Sequence, residues 1–218
     1  MYRRKPAVAG AFYPSNPQRL GGMIDGYMQE AKNAPPAGDI VGVVSPHAGY
    51  IYSGPVAAYS FAQLDPDTTL AVVLAPSHRA RFNGAAVLPD GMFETPLGDV
   101  VIDSAVGGAL IARQPFDQLR QAHELEHSLE VQVPFLQKRL REFSIVPVIV
   151  GTVDLTACMA IARGIHESLA GEKRKLAVVI STDLSHYHPY DDAKVMDGRF
   201  IKALESFDEK KVKSVLDS

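Results

Sequence analysis

The chain has 218 residues, of which 46% are hydrophobic and 22% charged, and its formal net charge is −3. This composition is typical of a folded globular domain, and the near-neutral charge argues against a dedicated nucleic-acid-binding protein. The single cysteine, Cys158, excludes an internal disulfide. No apolar run approaches the roughly 20 residues of a membrane-spanning helix, and Met1–Gly10 lacks the apolar stretch of a signal peptide. We therefore expect a soluble cytoplasmic protein without nucleic-acid or membrane partners.

The chain alternates between helical and strand patterns. A turn at Pro14–Pro17, followed by apolar residues at helical spacing from Leu20 to Ala31, predicts the first helix. Uniformly apolar runs predict strands buried on both faces, at Ile40–Val44, Leu70–Leu74, Ile145–Val150 and Leu176–Ile180. Helical patterns follow at Gly54–Leu64, Asp103–Ala112, Ser128–Phe143 and Leu155–Leu169, with a β-rich insertion at Ala85–Val101 and a charged helical tail at Asp191–Ser218.

Strands that alternate with helices indicate the fold class. They predict a three-layer α/β/α architecture with a mostly parallel mixed sheet and helices on both faces. The turn-rich stretches Ala34–Asp39 and Leu64–Asp67 are too short to link independent domains. Residues 1–218 are therefore interpreted as a single α/β domain.

Three of the predicted strands run into small polar turns that each contain a histidine. His47, His78 and His186 follow the runs that begin near Val41, Ala71 and Ala177. The carboxyl ends of parallel strands meet at one edge of a sheet, where α/β proteins bind ligands, so these histidines can converge. Imidazole is a common metal ligand, and its pKa of about 6.5 also suits proton transfer. The alternative is that each histidine only hydrogen-bonds a neighbouring loop.

A fourth segment, His123–His127, matches the metalloprotease motif H-E-x-x-H, in which two histidines on one helix face bind zinc and Glu124 acts as base. The motif is short, and a zinc protease needs a further ligand that the sequence does not identify. In the alternative interpretation a helix begins here with Glu126 and Glu130 on one face. The two glutamates then only interact favourably with the helix dipole, or one of them, or His127, faces the histidine-lined crevice and orients its residues.

Five blocks of the chain resemble the Memo family, whose prokaryotic members are called system protein B of the AMMECR1–Memo–radical SAM set. The blocks are Val8–Pro14, Ser45–Gly54, Ala75–His78, Glu126–Glu130 with Pro134, and Ser181–His186. The family is similar in turn to class III (LigB-type) extradiol dioxygenases, which are non-haem iron enzymes. The resemblance implies a LigB-dioxygenase-like fold, a divalent metal with iron favoured and zinc or copper as alternatives, and AMMECR1-like and radical SAM partner proteins.

The resemblance also implies roles for individual residues. His47 and His78 match the two metal-ligand histidines, His186 matches the catalytic base, and Asp183 is its polar partner. Memo proteins usually extend further and have an additional metal-site cysteine, which nothing here matches. We therefore expect the chain to lack the family's C-terminal segment and the third ligand to lie beyond residue 218.

Aromatic residues are the expected substrate contacts. Phe12 and Tyr52 match pocket-lining positions of the family, and Tyr50 is a further candidate beside them, with core packing as the alternative for all three. Two hypotheses follow for a small-molecule or peptide ligand in the crevice. One is a metal enzyme with redox or dioxygenase-type chemistry, and the other is a non-catalytic metal- or peptide-binding module. A zinc hydrolase is a third option.

Overall fold

The computed structural model describes residues 2–31 and 38–217, so most of the predicted turn at 34–39 lies outside the described residues. The chain forms two compact units, which divide after Thr182. The strands are β1 (Arg3–Arg4), β2 (Gly42–Ser45), β3 (Leu70–Pro76), β4 (Ala85–Val87), β5 (Gly91–Thr95), β6 (Gly98–Ile102), β7 (Phe116–Asp117), β8 (Ser144–Val150) and β9 (Leu176–Ser181). The helices are α1 (Pro17–Glu30), α2 (Tyr50–Ala62), α3 (Ser104–Ile111), α4 (Gln121–Glu124), α5 (His127–Glu130), α6 (Val133–Arg139), α7 (Leu155–Ser168), α8 (Tyr190–Glu205) and α9 (Glu209–Leu216).

The strands of the first unit form one mixed sheet. Its strand order is β1-β5-β6-β8-β3-β9-β2. Outside this order, β4 pairs with both β8 and β7. The neighbours β8, β3, β9 and β2 are all parallel, whereas β5–β6 and β4–β8 pair in antiparallel fashion. The predicted α/β class with a mostly parallel mixed sheet is confirmed, and the predicted β-rich insertion corresponds to β4, β5 and β6.

Strand β3 shows how an uninterrupted apolar run satisfies both faces of this sheet. Successive strand residues point to opposite faces. Ala71 and Val73 join the core that also contains residues of α1, α2 and α6, whereas Leu70 and Val72 join the core with residues of α3 and α7. All four side chains are fully buried. The helices therefore cover both faces, and the prediction of a doubly buried strand is confirmed here.

The first predicted strand behaves differently because β2 lies at the end of the sheet order, next to β9. Val44 in β2 is 44% exposed and Val41 just before it is 72% exposed. The prediction that this run is buried on both faces is therefore wrong. Uniform apolarity indicates a strand but carries no information about its position in the sheet.

The predicted helix Ser128–Phe143 is also wrong in part, because the structure has two short helices, α5 and α6, in its place. Pro134 has no N–H to donate to the carbonyl of Glu130, so a continuous helix would lose a hydrogen bond here. Pro134 lies in the first turn of α6, where that missing donor has no cost.

The second unit, from Asp183 onward, contains α8 and α9 and confirms the predicted charged helical tail. Each of the two helices begins with acidic residues in its first turn, which interact favourably with the helix dipole. Among the described residues, no helix combines the length and the apolarity that crossing a lipid bilayer requires.

Candidate metal site

Three histidines of the first unit lie close enough to share one metal ion. His47, His78 and His127 each offer a ring nitrogen within 4.8 Å of the other two. The ring centroids are 5.2 Å apart for His47–His78, 4.6 Å for His78–His127 and 5.7 Å for His47–His127. His47 is buried and His127 largely so, whereas the His78 side chain is 42% exposed. The cluster is therefore open to solvent on the His78 side.

The sheet topology explains why two of these residues meet. His47 and His78 follow β2 and β3, which both pair in parallel with β9. Their convergence at the carboxyl edge agrees with the sequence prediction. His127 at the start of α5 supplies the third position, whereas the resemblance places the third ligand beyond residue 218. Sequence analysis considered His127 as a ligand only in the zinc-protease interpretation together with His123, and did not predict it as a ligand together with His47 and His78.

Glu126 connects two of the three histidines. Its Oε1 is 2.9 Å from His78 Nδ1 and 3.2 Å from His127 Nδ1. The same carboxylate accepts hydrogen bonds from the backbone N–H groups of His78, His127 and Ser128. Because a carboxylate only accepts, His78 Nδ1 donates, and a neutral His78 ring has its lone pair on Nε2.

The charge of Glu126 follows from these contacts. Burial alone would raise the pKa of Glu126. Hydrogen bonds from the His127 side chain, the backbone of His78 and Ser128, and the His78 ring have the larger, opposite effect, and they hold this pKa well below its usual range. The carboxylate is therefore ionised at neutral pH. This buried negative charge is hydrogen-bonded to His78 Nδ1 and lies close to His127 Nδ1. A carboxylate in this position is a familiar way to orient metal-ligand histidines and to raise their basicity.

The same backbone segment argues against a zinc-protease site. Helix α4 ends at Glu124, and Glu126 has the extended conformation of an N-cap (φ −83°, ψ 127°), so His123 and His127 do not share one helix. His123 is 1% exposed, and its Nε2 lies 3.2 Å from the carbonyl oxygen of Ala86. Within the described residues His123 does not belong to the cluster of potential ligands.

Because His123 is buried and neutral, we expect it to make the fold sensitive to acid. Burial lowers the pKa of His123 to about 3, whereas in the unfolded chain it is near 6.5. Below pH 6.5 the unfolded chain therefore binds a proton that the native protein does not, and stability falls as the pH falls. Relative to His123→Gln, which retains an N–H donor, the wild type should lose about 1.4 kcal/mol per pH unit down to pH 3.

Urea unfolding of both proteins between pH 7.5 and pH 4 measures this difference. Titrations elsewhere in the chain contribute equally to both proteins and cancel. A constant difference in the free energy of unfolding across this range would contradict a buried, neutral His123.

Glu130 fixes the N-terminal segment beneath the candidate site. It is fully buried. Its carboxylate accepts hydrogen bonds from the Arg4 side chain, the Tyr13 hydroxyl and the backbone N–H groups of Ala7 and Val8. Burial and the neighbouring carboxylate raise the pKa of Tyr13 far above its usual range, so the phenol stays a donor. The expected role of Glu130 in the crevice is thus replaced by a structural role below it.

Arg4 extends this network to the segment that carries the histidine cluster. The Arg4 side chain is 1% exposed and pairs with Glu130. Its Nη2 donates to the backbone oxygen of Glu126 at 2.6 Å, and its Nε donates to that of His123 at 2.9 Å. The guanidinium also lies 4.7 Å from the centre of the Phe93 ring. One buried cation thereby holds both ends of the turn that positions Glu126.

Of the predicted aromatic contacts, Phe12 lies at the histidine cluster. Its ring centroid is 4.8 Å from that of His127. Phe12 also borders a cavity of about 330 Å³, whose lining includes Arg19, Met23 and Ile51. Phe12 therefore contacts a candidate ligand and also borders a space that can hold a small molecule.

The two predicted tyrosines differ from Phe12. Tyr50 is 1% exposed, its hydroxyl donates to the carbonyl of Val131 at 2.6 Å, and its ring packs against Tyr13 and Phe135. Its side chain thus packs in the core, but Tyr50 also borders the cavity that Phe12 lines, and its substrate contact stays a prediction. Tyr52 is 78% exposed on α2, and its substrate contact stays a prediction.

Asp183 and His186 lie in the second unit. Asp183 Oδ2 is 3.5 Å from His186 Nε2, a distance at the limit for a hydrogen bond. His186 Nδ1 lies 2.8 Å from the carbonyl oxygen of Leu184, which accepts its proton. The two residues are therefore neighbours, as the sequence predicts, and the backbone of Leu184 orients the imidazole. Their proton-transfer role stays a prediction.

The fold and the cluster define a class: an α/β protein with a candidate three-histidine metal site at the carboxyl edge of its parallel strands. Comparison with known proteins is more specific. The family model described as Memo-like protein matches residues 4–218, and the chain belongs to that family.

Archaeal relatives are similar along most of their length. A MEMO1 family protein of Archaeoglobus fulgidus is 40% identical over 210 residues, which cover 95% of this chain and 77% of the relative. The MEMO1 family protein of Methanopyrus kandleri is 38% identical, covering 94% and 77%. That of Methanothermobacter thermautotrophicus is 37% identical, covering 94% and 78%.

Proposed function

We propose that this protein binds a divalent transition-metal ion through His47, His78 and His127. The observation that carries the proposal is that one nitrogen of each ring lies within 4.8 Å of the other two. Imidazole donors suit iron, zinc, copper and nickel. The Glu126 contact places a proton on Nδ1 of His78, which leaves Nε2 of the neutral ring as its donor atom. The residues present therefore fit such an ion.

The accessibility of the cluster favours a reactive site over a purely structural one. Structural metal sites are closed by protein ligands, whereas catalytic sites keep a position open. The exposed side of His78 and the cavity beside Phe12 provide room for a small molecule or a peptide segment. We infer iron as the favoured ion from the family resemblance, and iron would supply redox or dioxygenase-type chemistry. His186, with Asp183, is the proposed proton-transfer residue.

Replacing each candidate ligand should abolish tight metal binding. We expect one bound equivalent in the wild type, and losses of affinity in His47→Ala, His78→Ala and His127→Ala that exceed the roughly 10- to 100-fold cost of losing an outer hydrogen-bond partner. His166→Ala, an exposed position on α7, is the matched control. Isothermal titration with Fe(II), Zn(II) and Cu(II) under anaerobic conditions measures affinity and preference together.

His123→Gln provides a second control in the same titrations. It should bind metal like the wild type, because His123 lies outside the cluster. Loss of metal from both His123→Gln and His127→Ala would favour the zinc-protease interpretation, in which both histidines are ligands. Retention of metal in His127→Ala would contradict the proposed ligand set.

Turnover separates the enzyme from a non-catalytic binding module. The iron-loaded protein is incubated with a panel of catechols and oxygen, and oxygen uptake and ring-opened products are measured. Turnover that His186→Gln abolishes without changing the metal content would support the enzyme. Tight metal binding with no turnover across the panel would favour the binding module. Hydrolysis of ester substrates by the zinc-loaded protein tests the third option.

The partner proteins implied by the resemblance are a separate proposal. We propose that an AMMECR1-like protein and a radical SAM protein associate with this chain. Co-purification from cells that express all three tests this, with exposed-surface variants of α2 such as Tyr52→Ala as a first probe of the contact.

A further inference from the structure

We propose that Ser181 is a positioning residue that fixes the tautomer of His47, with the ring proton on Nδ1 and the lone pair of the neutral ring on Nε2. The tautomer is a property of the metal-free chain. Only its consequence for metal affinity rests on the proposed function. Gln132, Ser181, His47 and the backbone oxygen of Ser128 form one buried hydrogen-bond network, in which carbonyl oxygens can only accept.

A backbone carbonyl defines the orientation of the Gln132 side-chain amide. Gln132 is fully buried, and its Nε2 lies 2.9 Å from the carbonyl oxygen of Pro46. A carbonyl oxygen only accepts, so the amide nitrogen must face Pro46. Two further acceptors lie near that nitrogen, Ser181 Oγ at 2.8 Å and the backbone oxygen of Ser128 at 3.5 Å. The second proton points to the much nearer Ser181 Oγ. Gln132 therefore donates to Ser181.

This orientation of the Gln132 amide leaves its oxygen without a hydrogen-bond partner in the described part of the chain, so the two N–H groups determine the orientation. Within the described residues its Oε1 is buried with no hydrogen-bond partner. A buried acceptor without a partner is unfavourable and uncommon in native proteins. The amide nevertheless faces Pro46 and Ser181 with its two N–H groups, so those two contacts define the arrangement.

The Ser181 hydroxyl has a single proton, which it donates to the backbone carbonyl of Ser128. Ser181 Oγ lies 2.7 Å from the backbone oxygen of Ser128, which only accepts. The remaining neighbours of Oγ, Gln132 Nε2 and His47 Nδ1, must therefore both donate to it. His47 Nδ1 is 2.9 Å from Oγ. The proton of the neutral His47 ring accordingly lies on Nδ1.

The fold makes this arrangement stiff. Ser181 ends β9, His47 follows β2, and Ser128 lies in α5, so the hydroxyl connects three elements that meet at the candidate site. Ser181 is 2% exposed and His47 4% exposed, so bulk solvent has little access to the hydrogen bond between them. In a buried network of this kind each hydrogen bond polarises the next.

Two ligands are thus oriented through Nδ1 by different chemistry. A carboxylate, Glu126, accepts from His78, whereas a neutral hydroxyl, Ser181, accepts from His47. A carboxylate raises the basicity of the ring more than a hydroxyl does, because it adds negative charge. Ser181 therefore orients His47 with little change in its basicity, and the two histidines are unequal donors.

The tautomer can be measured directly in the metal-free full chain. Long-range ¹H–¹⁵N correlation spectra at about pH 8.5 distinguish the Nδ1–H form, the Nε2–H form and the doubly protonated ring. We expect Nδ1–H for His47 in the wild type and a mixture or the Nε2–H form in Ser181→Ala. Ser181→Thr, which keeps the hydroxyl, should restore the wild-type pattern. Ser53→Ala, a buried serine whose hydroxyl also donates to a carbonyl, is the control.

Metal affinity is the second readout, and the two readouts separate the proposals. Ser181→Ala should weaken binding about 10- to 100-fold, with recovery in Ser181→Thr. An Nε2–H tautomer in the wild type, or a tautomer unchanged in Ser181→Ala, would overturn the role of Ser181 even if metal binds tightly. A tautomer that changes as expected in a protein that binds no metal would support Ser181 and reject the proposed function.

Discussion

Replacement of Glu126 with Gln is expected to weaken metal binding by about 10- to 100-fold, because the rings of His78 and His127 lose the carboxylate that orients them. It should also lower the free energy of unfolding by about 3 kcal/mol, the scale of charge-assisted hydrogen bonds lost in the interior. Glutamine has one oxygen for two accepting positions. Its amide N–H must therefore face either the backbone N–H of His78 or the donors from His127 and Ser128.

The matched control is Glu124→Gln, an exposed glutamate in the same segment. It removes the same charge close to the site and should change neither property measurably. Competition with a chromophoric chelator gives the affinity, and urea unfolding of the metal-free proteins gives the stability. Equal metal affinities for Glu126→Gln and the wild type would show that the carboxylate does not orient the ligands.

Sequence analysis predicts the parts of the site whose position follows from the residues next to them in the chain. His47 and His78 each stand just after an apolar strand, and a parallel sheet brings such positions to one edge without further information. Pairing of β2 and β3 with β9 makes the two residues near neighbours. The same local information does not give the position of a strand within the sheet, so the exposure of β2 was not predictable from its apolar run.

His127 could not be predicted from strand ends, because it lies at the start of the short helix α5 and does not follow a strand. Its position depends on a turn between two short helices, and contacts distant in sequence hold that turn. Arg4 binds the backbone oxygens on both sides of the turn, and Glu130 binds Arg4. The available signal was the Glu126–His127 pair itself. A glutamate beside a histidine in a block shared with a metal-site family indicates a ligand with its orienting carboxylate as readily as a helix start.

The second large effect is expected from Arg4→Met. Removal of the guanidinium leaves the Glu130 carboxylate buried without its cationic partner, and such losses typically cost about 3–5 kcal/mol. For a chain of this length that corresponds to a fall in Tm on the order of 10 °C. Arg3→Met is the matched control, because Arg3 is half exposed in its pair with Asp99 and exposed pairs contribute about 0–1 kcal/mol. Thermal unfolding followed by circular dichroism measures both variants.

The double variant Arg4→Met/Glu130→Gln separates the cost of an unpaired charge from the cost of lost hydrogen bonds. Glutamine at position 130 keeps one oxygen that can accept from part of the surrounding donors, but it leaves no unpaired charge in the interior. The double variant should therefore be more stable than Arg4→Met by roughly 1–2 kcal/mol, within the usual range of coupling energies between contacting residues. Equal stability would assign the whole loss to the bonds from Arg4 to the backbone of His123 and Glu126. In that case both variants should also lose metal affinity to the same extent, since the turn that carries Glu126 and His127 would have lost its anchor.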